Sequence, residues 1–324
     1  MAAHLTLLGH KASLYDIDQA KIEALSQVGQ INLTGAVKGK ATPALVTSDL
    51  AAAIANSDII MILVPTCFHR GLAKDMAPYL ANGQVIVLNP GATGGALEFK
   101  QELRRVGCQA QVTIAEAQTL LYACRSLRPG EATIYGIKEK VDVAALPAMA
   151  TAQVVALLNQ AFPQYQAAPN VWHTSLSNSN AICHPAPTLL NAGRIESQEQ
   201  FEYYREGITP SIAQVVAELD EERIAIAAKL GINISSLKQW FETSYSATGS
   251  DLYETIQHTQ AYAGIMGPTT LNNRYLFEDL PTGLVPLALL GDAVSAPTPT
   301  MKAVVQLGNL VLGRNFWQEG RTLE

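Results

Sequence analysis

Six histidines, His4, His10, His69, His173, His184 and His258, are the side chains best placed by type to move a proton near neutral pH, and His184 has the most suitable surroundings. Its segment SLSNSNAICHPAPTLLN has no charged residue and holds Asn178, Asn180 and Asn191. An imidazole among apolar groups and a few dipoles suits general acid–base chemistry. By residue type alone, a hydrogen-bonded structural histidine is the commoner outcome. The neighbouring Cys183 points elsewhere on a helix, so a Cys–His nucleophile pair is not expected. None of the histidines forms a metal signature such as HExxH, and no metal is expected. A second dense spot is NNRYLFEDLPTGLVP, read as a loop in which Arg274, Glu278 and Asp279 either clamp an anionic substrate and orient a histidine or pair at the surface. Tyr122, Arg125 and Arg128 in LLYACRSLRPG follow the strand-like VTIAE and are expected at a ligand-binding sheet rim, or in a solvated loop.

These residues need elements to hold them. KASLYD alternates like a strand, and DQAKIEALSQ follows with helical spacing and Asp18 as N-cap. SDLAAAIANSD, HRGLAKDMAPYL and GGALEFKQELRRVG read as helices, whereas DIIMILVP and GQVIVLNPG read as continuously apolar strands. Strands apolar on both faces belong to a parallel sheet covered by helices, so the first part is predicted to be a Rossmann-like, doubly wound α/β sheet. After about Gln166 strand signals stop, and PSIAQVVAELDEERIAIAAKLG is helical in period. The predicted division is a dinucleotide-binding domain over 1–168 and an all-α domain over 169–324.

In such a sheet an acidic residue about 20 positions after the first glycine of GxGxxG holds the adenosine ribose. Asp16 fits that acid, favouring NAD over NADP, and a plain strand-end turn carboxylate is an equal reading. The first strand and glycine loop are then missing from the chain. MAAHLTLLGH reads as the body of the first helix, ended by Gly9. The expectation is an internal methionine as the start, with a lost phosphate cradle as the alternative. Gly91-Ala92-Thr93-Gly94-Gly95 also joins a strand to a helix but lacks the GxGxxG spacing.

Composition narrows the classes. The 324 residues are 48% hydrophobic and 15% charged, with net charge −6. Soluble domains average about 25% charged residues, so this chain is no disordered polymer and part of its surface is expected to be buried in a homodimer. No basic stripe invites nucleic acid. The longest stretch without Asp, Glu, Lys or Arg, Val143 to Gly193, is broken by Pro147, Pro163 and Pro169, so no membrane span is expected. Cys67, Cys108, Cys124 and Cys183 are widely spaced and read as reduced thiols of a cytoplasmic protein.

SLSNSNAICHPAPTLLN, RYLFEDLPTGLVP, VLNPGATGGALEF and LLYACRS, with FEYYREGITPS and the closing EGRTLE, together resemble the opine (octopine/nopaline) dehydrogenase family over nearly the whole chain. The resemblance implies a nicotinamide cofactor, NADH, on the first domain and a catalytic His–Asp pair, which falls on His184 and Asp279. It implies substrate contacts at Asn180 and Arg274, and cofactor contacts at Asp16 and, after the two buried strands, at Pro65, Thr66, Asn89 and Gly91. The implied reaction joins an L-amino acid to an α-keto acid such as pyruvate through an imine that NADH reduces. The chain departs from the family in lacking the first strand and glycine loop, and it ends at Glu324 where relatives continue. Two rivals stand beside this reading. One is a hydroxyacid dehydrogenase of the ketopantoate-reductase type, disfavoured because its helix lysine has no counterpart between Val143 and Gly193; the other is a non-catalytic remnant.

Overall fold

Helices begin where a short polar side chain can satisfy free backbone N–H groups. In the computed structural model, which describes residues 1–323, α1 (Ala2–Leu7) is followed by Gly9 at φ +87°, and the strand β1 (Ser13–Tyr15) comes next. Asp18 then caps α2 (Gln19–Val28) by accepting from the Lys21 N–H. After β2 (Ile31–Gly35), β3 (Gly39–Ala41) and β4 (Leu45–Thr47), Asp49 caps α3 (Leu50–Ile54) in the same way. The remaining elements of the first part are β5 (Ile59–Ile62), α4 (His69–Met76), β6 (Val85–Leu88), α5 (Gly95–Arg105), β7 (Thr113–Ala117), β8 (Tyr122–Arg128), β9 (Glu131–Ile137), β10 (Val141–Leu146), α6 (Thr151–Leu158) and β11 (Tyr165–Ala167).

By its contacts the chain divides into two units. One comprises Met1–Leu63, Arg70–Pro90 and Phe99–Pro169; the other comprises Val64–His69, Gly91–Glu98 and the chain from Asn170 onward. In the first unit β5, β6 and β7 run parallel in a sheet of order β11-β10-β7-β6-β5. Ile86, Val87 and Leu88 of β6 are fully buried, as their unbroken apolar run requires. β1 and β4 form a separate parallel pair, and among the described residues no strand joins that pair to β5.

The Rossmann-like α/β sheet followed by an all-α unit is as expected, and two details differ. The sheet is not wholly parallel, because β10 runs antiparallel to β7. Tyr122, Arg125 and Arg128 do not lie in a rim loop. They belong to β8, which pairs with β9 in a further sheet of order β3-β2-β9-β8. Pro129 and Gly130, the latter at φ +78°, close this hairpin, and the pairing of β8 with β9 makes it a strand.

The second unit is helical: α7 (Val171–Leu176), α8 (Asn180–Cys183), α9 (Pro185–Leu190), α10 (Ala192–Glu196), α11 (Pro210–Lys229), α12 (Leu237–Tyr245), α13 (Leu252–His258), α14 (Arg274–Phe277), α15 (Val285–Ala293), α16 (Pro299–Leu312) and α17 (Phe316–Glu319). Thr209 caps α11, and Pro210 occupies its first position, where no N–H is needed. The axis of this unit is α11, packed against α9, α13, α15 and α16 around Val216, Leu219, Phe241, Leu280 and Val305. Among the described residues no helix is long and apolar enough to cross a membrane. The four cysteines are unbridged.

Candidate active site

Pro185 decides where the site's histidine sits. A residue before proline is pushed out of regular helical geometry, so α8 stops and His184 takes φ −105°, ψ −54° before α9 begins. Its N–H still donates to the Asn180 carbonyl at 3.0 Å. Its own carbonyl accepts from Thr188 Oγ1 and Tyr203 Oη, each at 2.8 Å. The backbone at the break is thereby fixed, and with it the ring.

The segment RYLFEDLPTGLVP is not the loop its proline and glycine content suggested. It forms α14, a π-helical turn over Leu280–Leu284, and α15. Leu284 N–H donates to the Asp279 carbonyl, the five-residue closure of a π-turn, and Pro281 has no N–H to lose. Gly283 lets this turn approach α8, since a Cβ there would stand 2.7 Å from that of Ala181. That close approach brings Asp279 to His184.

The Asp279 carboxylate lies 2.7 Å from His184 Nδ1, with both side chains almost fully buried. His184 Nε2 is 3.1 Å from the Tyr204 hydroxyl, and the Tyr275 ring stacks on the imidazole at 4.1 Å. An acceptor on Nδ1 fixes the tautomer with its lone pair on Nε2, as a general base requires. Beside the pair, Arg274 Nη2 is 3.1 Å from Glu278 Oε2, and its side chain is 59% exposed. Asn180 opens α8 one turn before His184 and is partly buried. Cys183 takes no part: burial, reinforced by the Asp220 charge, holds its thiol pKa far above the usual range.

Of the residues predicted to touch cofactor, Pro65, Thr66 and Gly91 lie in the second unit, and Asp16 and Asn89 in the first. Thr66 is committed to its own unit, donating its N–H and hydroxyl to Glu278 Oε1 at 3.0 and 3.2 Å. Asp16 follows β1; one oxygen accepts from Asp18 N–H, and the side chain is 41% exposed. Asn89 is buried, its amide donates to the Tyr165 hydroxyl at 2.6 Å, and its Oδ1 has no partner.

Sequence reasoning missed Arg321. Its Nε donates to Glu98 at 2.7 Å, and its Nη1 donates to the carbonyls of Gly91 and Thr93 at 2.8 and 3.0 Å. Nη2 reaches the Thr66 carbonyl, and the Arg321 N–H donates to Pro281. Arg321 thus ties segments 64–69 and 91–98 together through its guanidinium and reaches the π-turn through its backbone N–H. The sole signal was its place in EGRTLE, which carries no role by itself.

His69 lies in the same unit, fully buried, and burial followed by the Arg321 charge lowers its pKa to about 3. The unfolded chain therefore takes up a proton near pH 6.5 while the folded one does not. Stability from this group is complete above that pH and declines as pH falls toward 3. Between pH 7 and 5, urea titrations are expected to show an acid-induced loss about 2 kcal/mol smaller in His69→Gln than in the unmodified protein.

Known proteins share this architecture. Residues 167–312 match the family model described as NAD/NADP octopine/nopaline dehydrogenase, alpha-helical domain, and residues 1–110 match the NAD-dependent glycerol-3-phosphate dehydrogenase N-terminus. The opine dehydrogenase of Arthrobacter sp. (strain 1C) is 46% identical over 324 residues, spanning 100% of this chain and 90% of that protein. Protein ocs of Agrobacterium vitis is 30% identical over 91% of this chain and 82% of its own length. The structure of an octopine dehydrogenase in complex with NADH and agmatine superposes with TM-score 0.80 at 20% identity, covering 96% of this chain and 87% of that one, which shows the shared fold. Identity of this extent over the full chain leads to one conclusion: the protein belongs to the opine dehydrogenase family of NAD(P)-dependent oxidoreductases.

Proposed function

We propose that this enzyme condenses an L-amino acid with an α-keto acid of the pyruvate type and reduces the resulting imine with NADH. The observation that carries the reading is the buried His184–Asp279 pair at 2.7 Å. Addition of the amine to the ketone gives a carbinolamine, whose hydroxyl leaves as water once protonated. His184 holds and delivers that proton, and Asp279 keeps the ring in the required tautomer and stabilises the imidazolium. Arg274 offers a planar fork for a substrate carboxylate, and Asn180 lies one turn from the histidine. When bound, NADH supplies the hydride that reduces the imine carbon.

Two groups of this chain fit such a cofactor: the partly exposed Asp16 carboxylate suits ribose hydroxyls, and the unpartnered Asn89 Oδ1 suits an amide or hydroxyl donor. Pro65, Thr66 and Gly91 are assigned to the border of the nicotinamide ribose. In this reading residues 1–168 bind the dinucleotide and 169–324 bind substrate and carry the acid–base pair. A cytoplasmic homodimer is the proposed setting, supported by the low charged fraction and four unbridged thiols.

The test is NADH oxidation by the purified protein, with pyruvate and a panel of L-amino acids, and mass spectrometry of the product. The expected result is turnover that requires both substrates, yields a secondary-amine dicarboxylate and prefers NADH to NADPH. Reduction of the keto acid alone to a hydroxy acid would replace this reading with the ketopantoate-reductase type.

A further inference from the structure

An imidazole has two nitrogens, and both of those in His184 are engaged. Nδ1 donates to Asp279 at 2.7 Å, which leaves the lone pair on Nε2, and the Tyr204 hydroxyl stands 3.1 Å from that lone pair. With Tyr275 stacked at 4.1 Å, one ring face is covered as well. A proton that enters or leaves the ring away from Asp279 therefore meets the Tyr204 oxygen first. That phenol is held in place: its ring stacks on Tyr262 at 3.9 Å and meets Tyr203 edge-on at 4.9 Å. Tyr204 is 5% exposed, and burial, followed by the neighbouring tyrosines Tyr262 and Tyr275, keeps its pKa well above 10. Its hydroxyl also shares a hydrogen bond with the Tyr262 side chain, so the group is a neutral O–H at any working pH, set between two polar neighbours and able to accept one proton while donating another.

We propose that Tyr204 is a further catalytic residue, relaying the proton between His184 Nε2 and the oxygen that leaves the substrate. The inference rests on the condensation reading above. Protonated His184 gives its Nε2 proton to the Tyr204 oxygen while the Tyr204 proton passes to the carbinolamine hydroxyl. The C–O bond breaks, water departs with that electron pair, and the nitrogen lone pair forms the C=N bond. His184 ends neutral and Tyr204 unchanged; the oxidative direction runs the same transfers backwards.

The test compares the unmodified enzyme with Tyr204→Phe and His184→Ala. Tyr204→Phe is expected to bind NADH normally and to lose about 10²-fold in kcat, with a larger solvent deuterium isotope effect and KM for the keto acid little changed. The variant Tyr204→3,5-difluorotyrosine, which keeps an O–H of greater acidity, is expected to recover most of the rate with its kcat–pH profile displaced to lower pH. Near-normal kcat in Tyr204→Phe beside an inactive His184→Ala overturns the relay and leaves the His–Asp pair standing, because His184 then reaches substrate once Tyr204 moves aside. Near-normal kcat in His184→Ala overturns the underlying reading itself. If Tyr204→Phe does not fold, an undisplaced pH profile in the difluorotyrosine variant overturns the relay.

Discussion

His184→Ala is expected to lower kcat for the condensation by about 10²- to 10⁴-fold, the span that one positioned acid–base group contributes. Asp279→Asn is expected to fall in the same range for a different reason. An Asn amide turned to donate toward Nδ1 would place the ring hydrogen on Nε2, the tautomer that cannot accept a proton there. Both variants should keep the fold, since the His184 backbone is anchored by Thr188 and Tyr203 and the π-turn by Gly283 against Ala181. NADH binding followed by fluorescence and a thermal melt supply the controls. The double variant is expected to be hardly worse than either single one, because the two side chains act as a unit. Near-normal turnover in either single variant would remove the pair from the chemistry.

Arg321→Met is expected to cost about 3–5 kcal/mol of stability, the range for breaking a buried ion pair from one side. The guanidinium is 3% exposed and its Glu98 partner 22%, so the loss leaves a largely buried carboxylate uncompensated. The Gly91 and Thr93 carbonyls lose their donor as well. Arg321→Lys is expected to recover only part of this, because an ammonium cannot span Glu98 and three carbonyls as the planar fork does. Urea unfolding measures the stability. A rise in the NADH dissociation constant would accompany it, since Gly91 and Thr66 are assigned to the cofactor and both are held by this side chain. Stability within about 1 kcal/mol of the unmodified protein would show that water replaces the guanidinium.

How much of this was legible in the sequence varies with the range of the interaction. α2 and α3 were readable because Asp18 and Asp49 sit three residues from the N–H groups they cap. β5 and β6 were readable as strands from their unbroken apolar runs, although only β6 is covered on both sides; β5 is the edge strand, with alternating burial and with Leu63 and Val64 just beyond it exposed. The helical character of PSIAQVVAELDEERIAIAAKLG follows from its period alone. Arg125 and Arg128 were misplaced because a hairpin ending in Pro129-Gly130 looks, one residue at a time, like a loop. The π-turn was misjudged for the same cause: Pro281 and Gly283 are helix breakers by propensity, and packing overrode it.

The chemistry divides along the same line. Residue types and the resemblance of several short segments together singled out His184, Asp279, Asn180 and Arg274, and the sequence by itself determined that His184 lies in an uncharged segment with three asparagines close by. Only the tertiary structure decided that Asp279 meets Nδ1, that Tyr204 meets Nε2, and that Arg321 binds Glu98 and the Gly91 carbonyl. Capping and periodicity act over a few residues and leave their mark in local order. A hydrogen bond between residues 95 or 223 positions apart depends on how whole helices and turns pack, and no local pattern encodes it.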